Sequence, residues 1–195
     1  GLSWLVPAIP LLKEKVPHRN IDFYWGNDHD LLQKLKQGHL DAVVSSVRMN
    51  ESNLRSIALH KEDYVLVCSD QYWQTHQHHM HAHCAEYLTL IDTASHLPLF
   101  RYFLDALQVD ELWDFKSIEL MGTIAAVHAR ILSHAGIAVL PKYFVHEDLI
   151  QKKLHQIHSE IKLPHDFFRL IWRADHVLLS ALQTLSDNLK SIDLT

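Results

Sequence analysis

The chain has only two cysteines, Cys68 and Cys84, among 195 residues. Two cysteines are too few for a disulfide framework, and these two lack the CxxC spacing of redox and zinc motifs. Glycine and proline are also scarce, with five and six residues, and 48% of the side chains are hydrophobic. This composition excludes a disordered chain and indicates a compact globular protein with two reduced thiols.

Long apolar runs and basic clusters are missing as well. The longest apolar runs, such as residues 137–140, are far shorter than the roughly 20 residues of a membrane-spanning helix, and the start has no signal-peptide pattern. With 18 Lys and Arg against 23 Asp and Glu, the formal net charge is -5. The sequence therefore predicts a cytoplasmic protein that binds no membrane and no nucleic acid by itself.

Enzyme and cofactor motifs are absent too. The sequence contains no GxSxG, HExxH, P-loop or dinucleotide-binding motif, and its acidic residues are dispersed through helices and loops rather than paired. We therefore predict that the chain is not an enzyme and has no cofactor.

The first 45 residues show an alternating pattern of helices and strands. We predict a helix over 2–17 with Ser3 near its start, a strand over 21–25, a helix that buries Leu31, Leu32 and Leu35, and a strand over 40–45. A turn and N-cap at 26–28 begin the second helix, and Gly38 ends it in left-handed geometry. Strands separated by helices imply parallel pairing with right-handed crossovers.

Two further strands are expected at 57–60 and 64–68. The second half then predicts a second α/β unit, with strands at 87–91, 117–121 and 137–140 and helices at 97–107 and 123–134, followed by a last strand at 167–172 and a terminal helix at 177–189. In the helix over 123–134 the apolar residues recur at helical spacing, so one face packs on a sheet. Without a repeat or a low-complexity linker, two lobes joined by strands, with a cleft between them, fit better than two tethered domains.

Four short phrases, in order, carry a resemblance to a known family. They are WLVPAI at 4–9 with VP at 16–17, the leucines of 31–35, GHLDAVV at 38–44 and GIAVLP at 136–141. In these the chain resembles the effector-binding domain of LysR-type transcriptional regulators, whose fold is like that of type II periplasmic solute-binding proteins. The resemblance implies two Rossmann-like lobes, residues 1–68 with 170–195 and residues 69–169, joined by crossover strands near 64–69 and 167–172.

Three departures from the family pattern stand out. The family's first strand and the hydroxyl residue after it would precede Gly1. His134 stands where the family has glycine at a helix end, so we expect the end of that helix to be shifted. The winged helix-turn-helix and linker helix of the family are absent from the sequence, so DNA contact is expected only through an N-terminal domain outside it.

Candidate effector-binding residues follow from the position of ligands in α/β sheets, outside the carboxyl ends of strands. Hydroxyls and free N–H groups at helix starts bind anions there, which suits a small carboxylate. These positions are Ser3, Ser45, Ser46, Thr93, Ser95, Gly122 and Thr123. Each hydroxyl could equally cap its own helix. The resemblance favours Thr123, Ser46 and Ser95 as effector contacts, with Arg48 as a further counter-charge candidate.

Histidine is unusually frequent, with 17 residues, and is densest at 76–83. On one helix His76, His79 and His83 would share a face and could hold zinc, nickel or copper. No acidic or cysteine partner completes a known spacing, so we predict no metal site. Elsewhere His128, on the apolar side of its helix, is expected to be a hydrogen-bonded core residue.

The function that these observations predict is a ligand-sensing and dimerisation domain of a LysR-type transcriptional regulator. Its partners would be a small-molecule effector, such as a carboxylate, and further copies of itself in a homodimer or tetramer. Two alternatives stay open: a free-standing solute-binding protein, which predicts a secretion signal, and an enzyme on the same fold, which predicts turnover of a small acid.

Overall fold

The computed structural model of the protein describes residues 2–15, 20–48, 51–107, 112–192 and 194. The chain divides into two compact units, Gly1–Lys61 with Asp166–Thr195, and Glu62–His165. In these described ranges no helix is long and apolar enough to cross a membrane. Each unit is an α/β structure with its own sheet, which confirms the predicted fold class.

The described residues form helices and strands in an order that begins and ends with a helix. They are α1 (Leu2–Lys15), α2 (Asp28–Lys36), β1 (Ala42–Ser45), β2 (Leu54–Glu62), β3 (Tyr64–Ser69), α3 (Asp70–His76), β4 (Thr89–Asp92), α4 (Phe100–Leu107), β5 (Ser117–Leu120), α5 (Ile124–Leu132), β6 (Ile137–Pro141), α6 (Lys142–Ile150), β7 (Leu154–Ile157), β8 (Asp166–Arg173) and α7 (Leu179–Lys190). Two short 3₁₀ turns, Gln77–His79 and Ala82–Tyr87, lie between α3 and β4.

The first unit contains a three-stranded sheet in the order β1-β8-β2. β1 pairs antiparallel with β8, so that Ala42 lies opposite Trp172 and Ser45 opposite Arg169. The parallel pairing predicted for this half is therefore wrong for β1. Its neighbour in the sheet comes from the far end of the chain, and a local pattern of helices and strands carries no information on such a partner.

The ends of α2 agree with the sequence prediction. The side chain of Asn27 accepts a hydrogen bond from the N–H of Asp30 at 2.9 Å and caps the start of the helix. Gly38 follows the other end with φ +80°, a conformation that glycine adopts without the strain of a side chain. The Leu35 carbonyl accepts from the N–H of Gly38 at 3.1 Å and from Arg173 at 2.9 Å, and Arg173 thereby places a cation at the negative end of the helix dipole.

The strand predicted over 21–25 is not formed, and residues 20–27 have no regular secondary structure. The rings of Phe23 and Trp25 stack on each other with 6.2 Å between their centroids. Aromatic residues favour strands chiefly through packing against neighbouring strands. Because the sheet order β1-β8-β2 gives this segment no neighbouring strand, its composition alone was a misleading signal.

The second unit is built on a five-stranded sheet in the order β5-β4-β6-β3-β7. β4 pairs parallel with β5 and β6, as predicted for strands joined by helices, whereas β3 pairs antiparallel with β6 and β7. Every residue of β3 and β6 is buried. On α5, Val127 and Ile131 are fully buried, which confirms that the predicted apolar face packs into the core.

Candidate functional site

The carboxyl ends of the parallel strands β4 and β5 lie side by side. The N–H of Met121 donates to the carbonyl of Asp92 at 2.8 Å, and the N–H of Gly122 donates to the carbonyl of Thr93 at 3.0 Å. Thr93, Gly122 and Thr123 are therefore brought together at one edge of the second sheet. Ser95 lies exposed in the turn that follows Thr93.

Gly122 and Thr123 form an exposed start to α5. The Thr123 hydroxyl accepts a hydrogen bond from the N–H of Ala126 at 3.2 Å, so it caps its own helix, the structural role that the sequence left open. Gly122 has φ +74°, and apart from its chain neighbours no atom of the described residues lies within 4 Å of where its Cβ would be. A ligand can therefore approach the backbone here, and the first N–H groups of a helix, which lack intrahelical partners, attract anions.

Asp92 organises this edge of the sheet, and sequence reasoning did not single it out. Its carboxylate is fully buried. It accepts hydrogen bonds from the N–H and the hydroxyl of Thr93, from the N–H of Leu99 at 3.4 Å and from the N–H of Phe100 at 2.9 Å. The Asp92 carboxylate therefore fixes the 93–99 loop and caps the start of α4. A lone acid at the end of an otherwise apolar strand was the available signal.

Of the candidate residues of the first unit, Ser45 is the one whose hydroxyl is seen to be engaged within the protein. Ser45 is 3% exposed, and its hydroxyl donates to Asp28 at 2.6 Å while accepting from the N–H of Val47 at 3.1 Å. The carbonyl of Ser46 accepts from Arg169 at 3.3 Å. The backbone of Ser3 belongs to α1, but its side chain lies outside the described residues.

Arg48, the further counter-charge candidate, pairs with Asp166 at 2.9 Å. Its side chain is 74% exposed, so the pair is a surface ion pair of small energetic weight. The Arg48 guanidinium, which the sequence analysis considered as a counter-charge for an effector, therefore has a carboxylate partner within the same unit.

The histidines at 76–83 do not form the helical face that the sequence suggested. α3 ends at His76, and two 3₁₀ turns follow, so His76, His79 and His83 are not on one helix. Met80, between the turns, is 3% exposed and packs in the core, which interrupts the helix. In the part of the chain that the structure describes, no group of three or more His, Cys, Asp and Glu is arranged to hold a metal ion.

Two other histidines bind polar partners. His128 Nε2 lies 2.7 Å from Asp148 Oδ2, and both side chains are largely buried, which confirms the hydrogen-bonded role predicted for His128. His134 adopts φ +64°, and its Nδ1 lies 2.9 Å from the Ser69 hydroxyl. α5 ends at Leu132, and His134 itself takes the left-handed position of the family's glycine, so the expected shift of that position does not occur.

Both cysteines are free thiols, as predicted, with Cys68 buried and Cys84 half-buried. Burial, aided by the charge of Asp70, raises the pKa of the Cys68 thiol to about 12. Since the thiolate is the reactive form, Cys68 is a core residue and not a nucleophile.

Comparison with known proteins places this geometry in a family. The family model of the LysR substrate binding domain matches residues 1–192. A comparison with curated proteins found no match.

Solved structures of LysR-type regulators share the fold. The regulatory domain of CrgA, a LysR-type transcriptional regulator from Neisseria meningitidis, has a TM-score of 0.80 at 17% identity, with 97% of this chain and 91% of that chain covered. The regulatory domain of MetR from N. meningitidis has a TM-score of 0.69 at 17% identity over 97% and 87% of the two chains. A full-length OxyR variant from Pseudomonas aeruginosa has a TM-score of 0.72 at 17% identity, over 100% of this chain and 64% of that one.

These structures confirm the predicted resemblance to the fold of type II periplasmic binding proteins. The family is not enzymatic, in agreement with the lack of catalytic motifs. The chain belongs to the LysR substrate-binding domain family and is an effector-binding regulatory domain of a LysR-type transcriptional regulator.

Proposed function

We propose that this domain binds a small carboxylate-bearing effector at the carboxyl ends of β4 and β5. The observation that carries the proposal is the exposed start of α5, where Gly122 leaves open space beside its backbone and is bonded to the carbonyl of Thr93. A carboxylate placed there would receive N–H groups of the first helical turn and the favourable end of the helix dipole.

The polar groups around this position suit an anion. The Thr123 hydroxyl accepts from Ala126 and still has its own proton to donate. Ser95 is exposed on the adjoining turn. Asp92, at the end of β4, is fully buried, and both of its carboxylate oxygens accept hydrogen bonds from N–H groups of the 93–100 segment. These oxygens are therefore engaged inside the protein.

The family resemblance extends the proposal to the whole chain. LysR regulatory domains bind small effectors and oligomerise. We expect Thr93, Ser95, Gly122 and Thr123 to contribute the contacts from residues 69–169, whereas the buried hydroxyl of Ser45 is already engaged by Asp28. Effector binding would favour one arrangement of the lobes by differential affinity. A cytoplasmic homodimer or tetramer would pass that shift to a DNA-binding domain outside this sequence.

Isothermal titration of the chain against small carboxylates and amino acids tests the proposal, with two substitutions at one position. Thr123→Asp retains a good N-cap, since Asp caps helices as well as Thr does, but places a negative charge at the site. We expect Thr123→Asp to unfold at the wild-type denaturant concentration and to bind the carboxylate at least about tenfold more weakly, a loss of about 1.4 kcal/mol.

Thr123→Ser is the matched control, because it keeps both the cap and the hydroxyl and should bind as the wild type does. Equal affinity in Thr123→Asp and Thr123→Ser would contradict a carboxylate at the start of α5. Sedimentation of the chain with and without the effector then measures the homodimer or tetramer directly.

A further inference from the structure

The second unit contains a pocket of about 550 Å³ away from the strand ends, a volume within the range of small-molecule sites. Among the described residues that line it, none is Thr93, Ser95, Gly122 or Thr123. The residues that define its chemistry are three imidazoles, one carboxylate and two aromatic rings: His81, His83, His158, Glu160, Phe103 and Trp113. The proposed effector site does not use these residues.

His158 is held with both ring nitrogens facing hydrogen-bond acceptors. Its Nε2 lies 2.7 Å from the carbonyl oxygen of Met80, and its Nδ1 lies 3.2 Å from Glu160 Oε1. A carbonyl oxygen only accepts, so Nε2 carries a proton. Both ring nitrogens are therefore engaged in the pocket wall, Nε2 by the Met80 carbonyl and Nδ1 by the Glu160 carboxylate. Hydrogen bonds from the backbone N–H of Glu160 and from the His158 ring lower the pKa of the Glu160 carboxyl, so Glu160 remains ionised.

His158 also has a left-handed backbone, with φ +51°. A side chain in this region of φ strains the backbone, and such residues persist only where their surroundings hold them. The hydrogen bond to the Met80 carbonyl and the contact with Glu160 restrain the His158 side chain. The imidazole is therefore a fixed element of the pocket wall.

Two more imidazoles stand beside it. The rings of His81 and His83 are parallel within 7° with centroids 5.5 Å apart, and the His81 ring lies 6.1 Å from that of His158. Both His81 and His83 are exposed. The Glu160 carboxylate already faces His158, so among the described residues that line the pocket the ring N–H groups of His81 and His83 are hydrogen-bond donors open to an anion.

The floor of the pocket is aromatic. The Phe103 ring, 1% exposed, lies 5.8 Å from the His158 ring at an interplanar angle of 25°. Trp113 meets the Phe103 ring edge-on at 5.5 Å, and Ile161 adds an aliphatic wall. Phe103 is covered by these neighbours, so the partly buried Trp113 is the ring that a flat ligand can contact, by offset or edge-to-face packing.

We propose that this pocket is a second ligand site of the domain and takes a planar organic anion, such as an aromatic carboxylate. The ring would lie against Trp113 and Ile161, which are only partly buried, and the carboxylate would face His81 and His83. Metal binding is the other chemistry open to imidazoles, but within the described residues no three such side chains are arranged around a common metal position.

Isothermal titration with 2-naphthoate, a planar aromatic carboxylate, tests the proposal. We expect the chain carrying both His81→Gln and His83→Gln to bind it at least about tenfold more weakly than the wild type, the loss of about one charge-assisted hydrogen bond. Both residues are exposed, so the substitutions should leave the fold intact, as circular dichroism would verify. His78→Gln is the matched control, because His78 is exposed on the same segment but does not line the pocket.

Two further comparisons separate this site from others. Thr123→Asp should leave the affinity for 2-naphthoate unchanged, and neutral 2-naphthamide should bind at least about tenfold more weakly than 2-naphthoate. Binding that is lost in Thr123→Asp but kept in the double histidine variant would assign the anion to the start of α5 and overturn the second site. Equal binding of the amide, or histidine-dependent binding of Zn²⁺ without binding of 2-naphthoate, would also overturn it.

Discussion

The backbone of Gly136 lies directly against the carbonyl group of Thr89. A Cβ on Gly136 would overlap the Thr89 oxygen and would lie 3.0 Å from the carbonyl carbon. Both residues are at the amino-terminal ends of neighbouring strands, next to the Leu90 and Ile137 pair that joins β4 to β6. Only glycine fits here, because the obstructing atoms belong to the backbone of a paired strand and cannot rotate away.

Gly136→Ala should therefore destabilise the domain by about 3 kcal/mol, at the upper end of the usual cost of an overpacked core. Gly122→Ala is the informative control. Its Cβ would have open space, but φ +74° makes any side chain strained, at a cost of about 1 kcal/mol. Urea unfolding of both variants measures the difference, and equal losses would show that the Thr89 carbonyl moves aside.

Asp92→Ala should destabilise the second unit by about 3 kcal/mol, because it leaves the N–H groups of Thr93 and Phe100 without their buried acceptor. Asp92→Asn should cost less, since the amide oxygen still accepts one of these bonds. Denaturant unfolding gives the stabilities, and amide exchange should be fastest at 93–100. Asp114→Ala, at an exposed position, should change the free energy of unfolding by less than about 0.5 kcal/mol. If Asp92→Ala lost no more stability than Asp114→Ala, the buried hydrogen bonds of Asp92 would not stabilise the unit.

The surroundings of Asp92 show which parts of the site could be predicted from the sequence and which could not. The adjacency of Thr93 and Gly122 was predictable, because parallel strands bring their carboxyl ends to one edge. The role of Asp92 was not, since its partners depend on the path of the following loop. Likewise, Ser45 stands at a strand end as predicted, but its hydroxyl is engaged by Asp28, a contact that sequence spacing does not reveal.

The fold was predictable where periodicity was strong. The apolar spacing on α5 and the apolar run of β6 both correspond to elements of the core. α6 was missed because its apolar residues do not gather on one side of the helix. The helical face considered for His76, His79 and His83 does not form, because α3 ends at His76 and Met80, between the two 3₁₀ turns, is buried in the core.

Glu119 should contribute a small, pH-dependent stability. Two hydrogen bonds from Arg130, at 2.6 and 2.9 Å, lower the pKa of the Glu119 carboxyl. A lowered pKa in the folded state means that the stabilisation is complete above the unfolded value, near 4.5, and is lost as pH falls through the folded value. The side chains of Arg130 and Glu119 are 40% and 31% exposed, so solvent limits the contribution to below about 1 kcal/mol.

Unfolding of wild type and Glu119→Gln at a series of pH values from 7 downwards measures this contribution. We expect a constant difference from neutral pH to about pH 5, which then shrinks as the carboxylate is protonated. Glu147→Gln, at an exposed position on α6, is the control substitution, and at pH 7 it should change the free energy of unfolding by less than about 0.5 kcal/mol. A difference for Glu119→Gln that grew in acid would mean that the Arg130 contact does not stabilise the folded state.

His134 combines a strained backbone with a stabilising side-chain contact, and two substitutions separate them. His134→Ala removes the bond to the Ser69 hydroxyl but keeps a side chain at φ +64°, so it should cost about 1 kcal/mol. His134→Gly loses the same bond but relieves the left-handed strain, so its unfolding free energy should stay within about 0.5 kcal/mol of the wild type. If both variants lost the same stability, the left-handed backbone would carry no measurable cost, and the imidazole contact alone would explain why histidine is accommodated at this helix end.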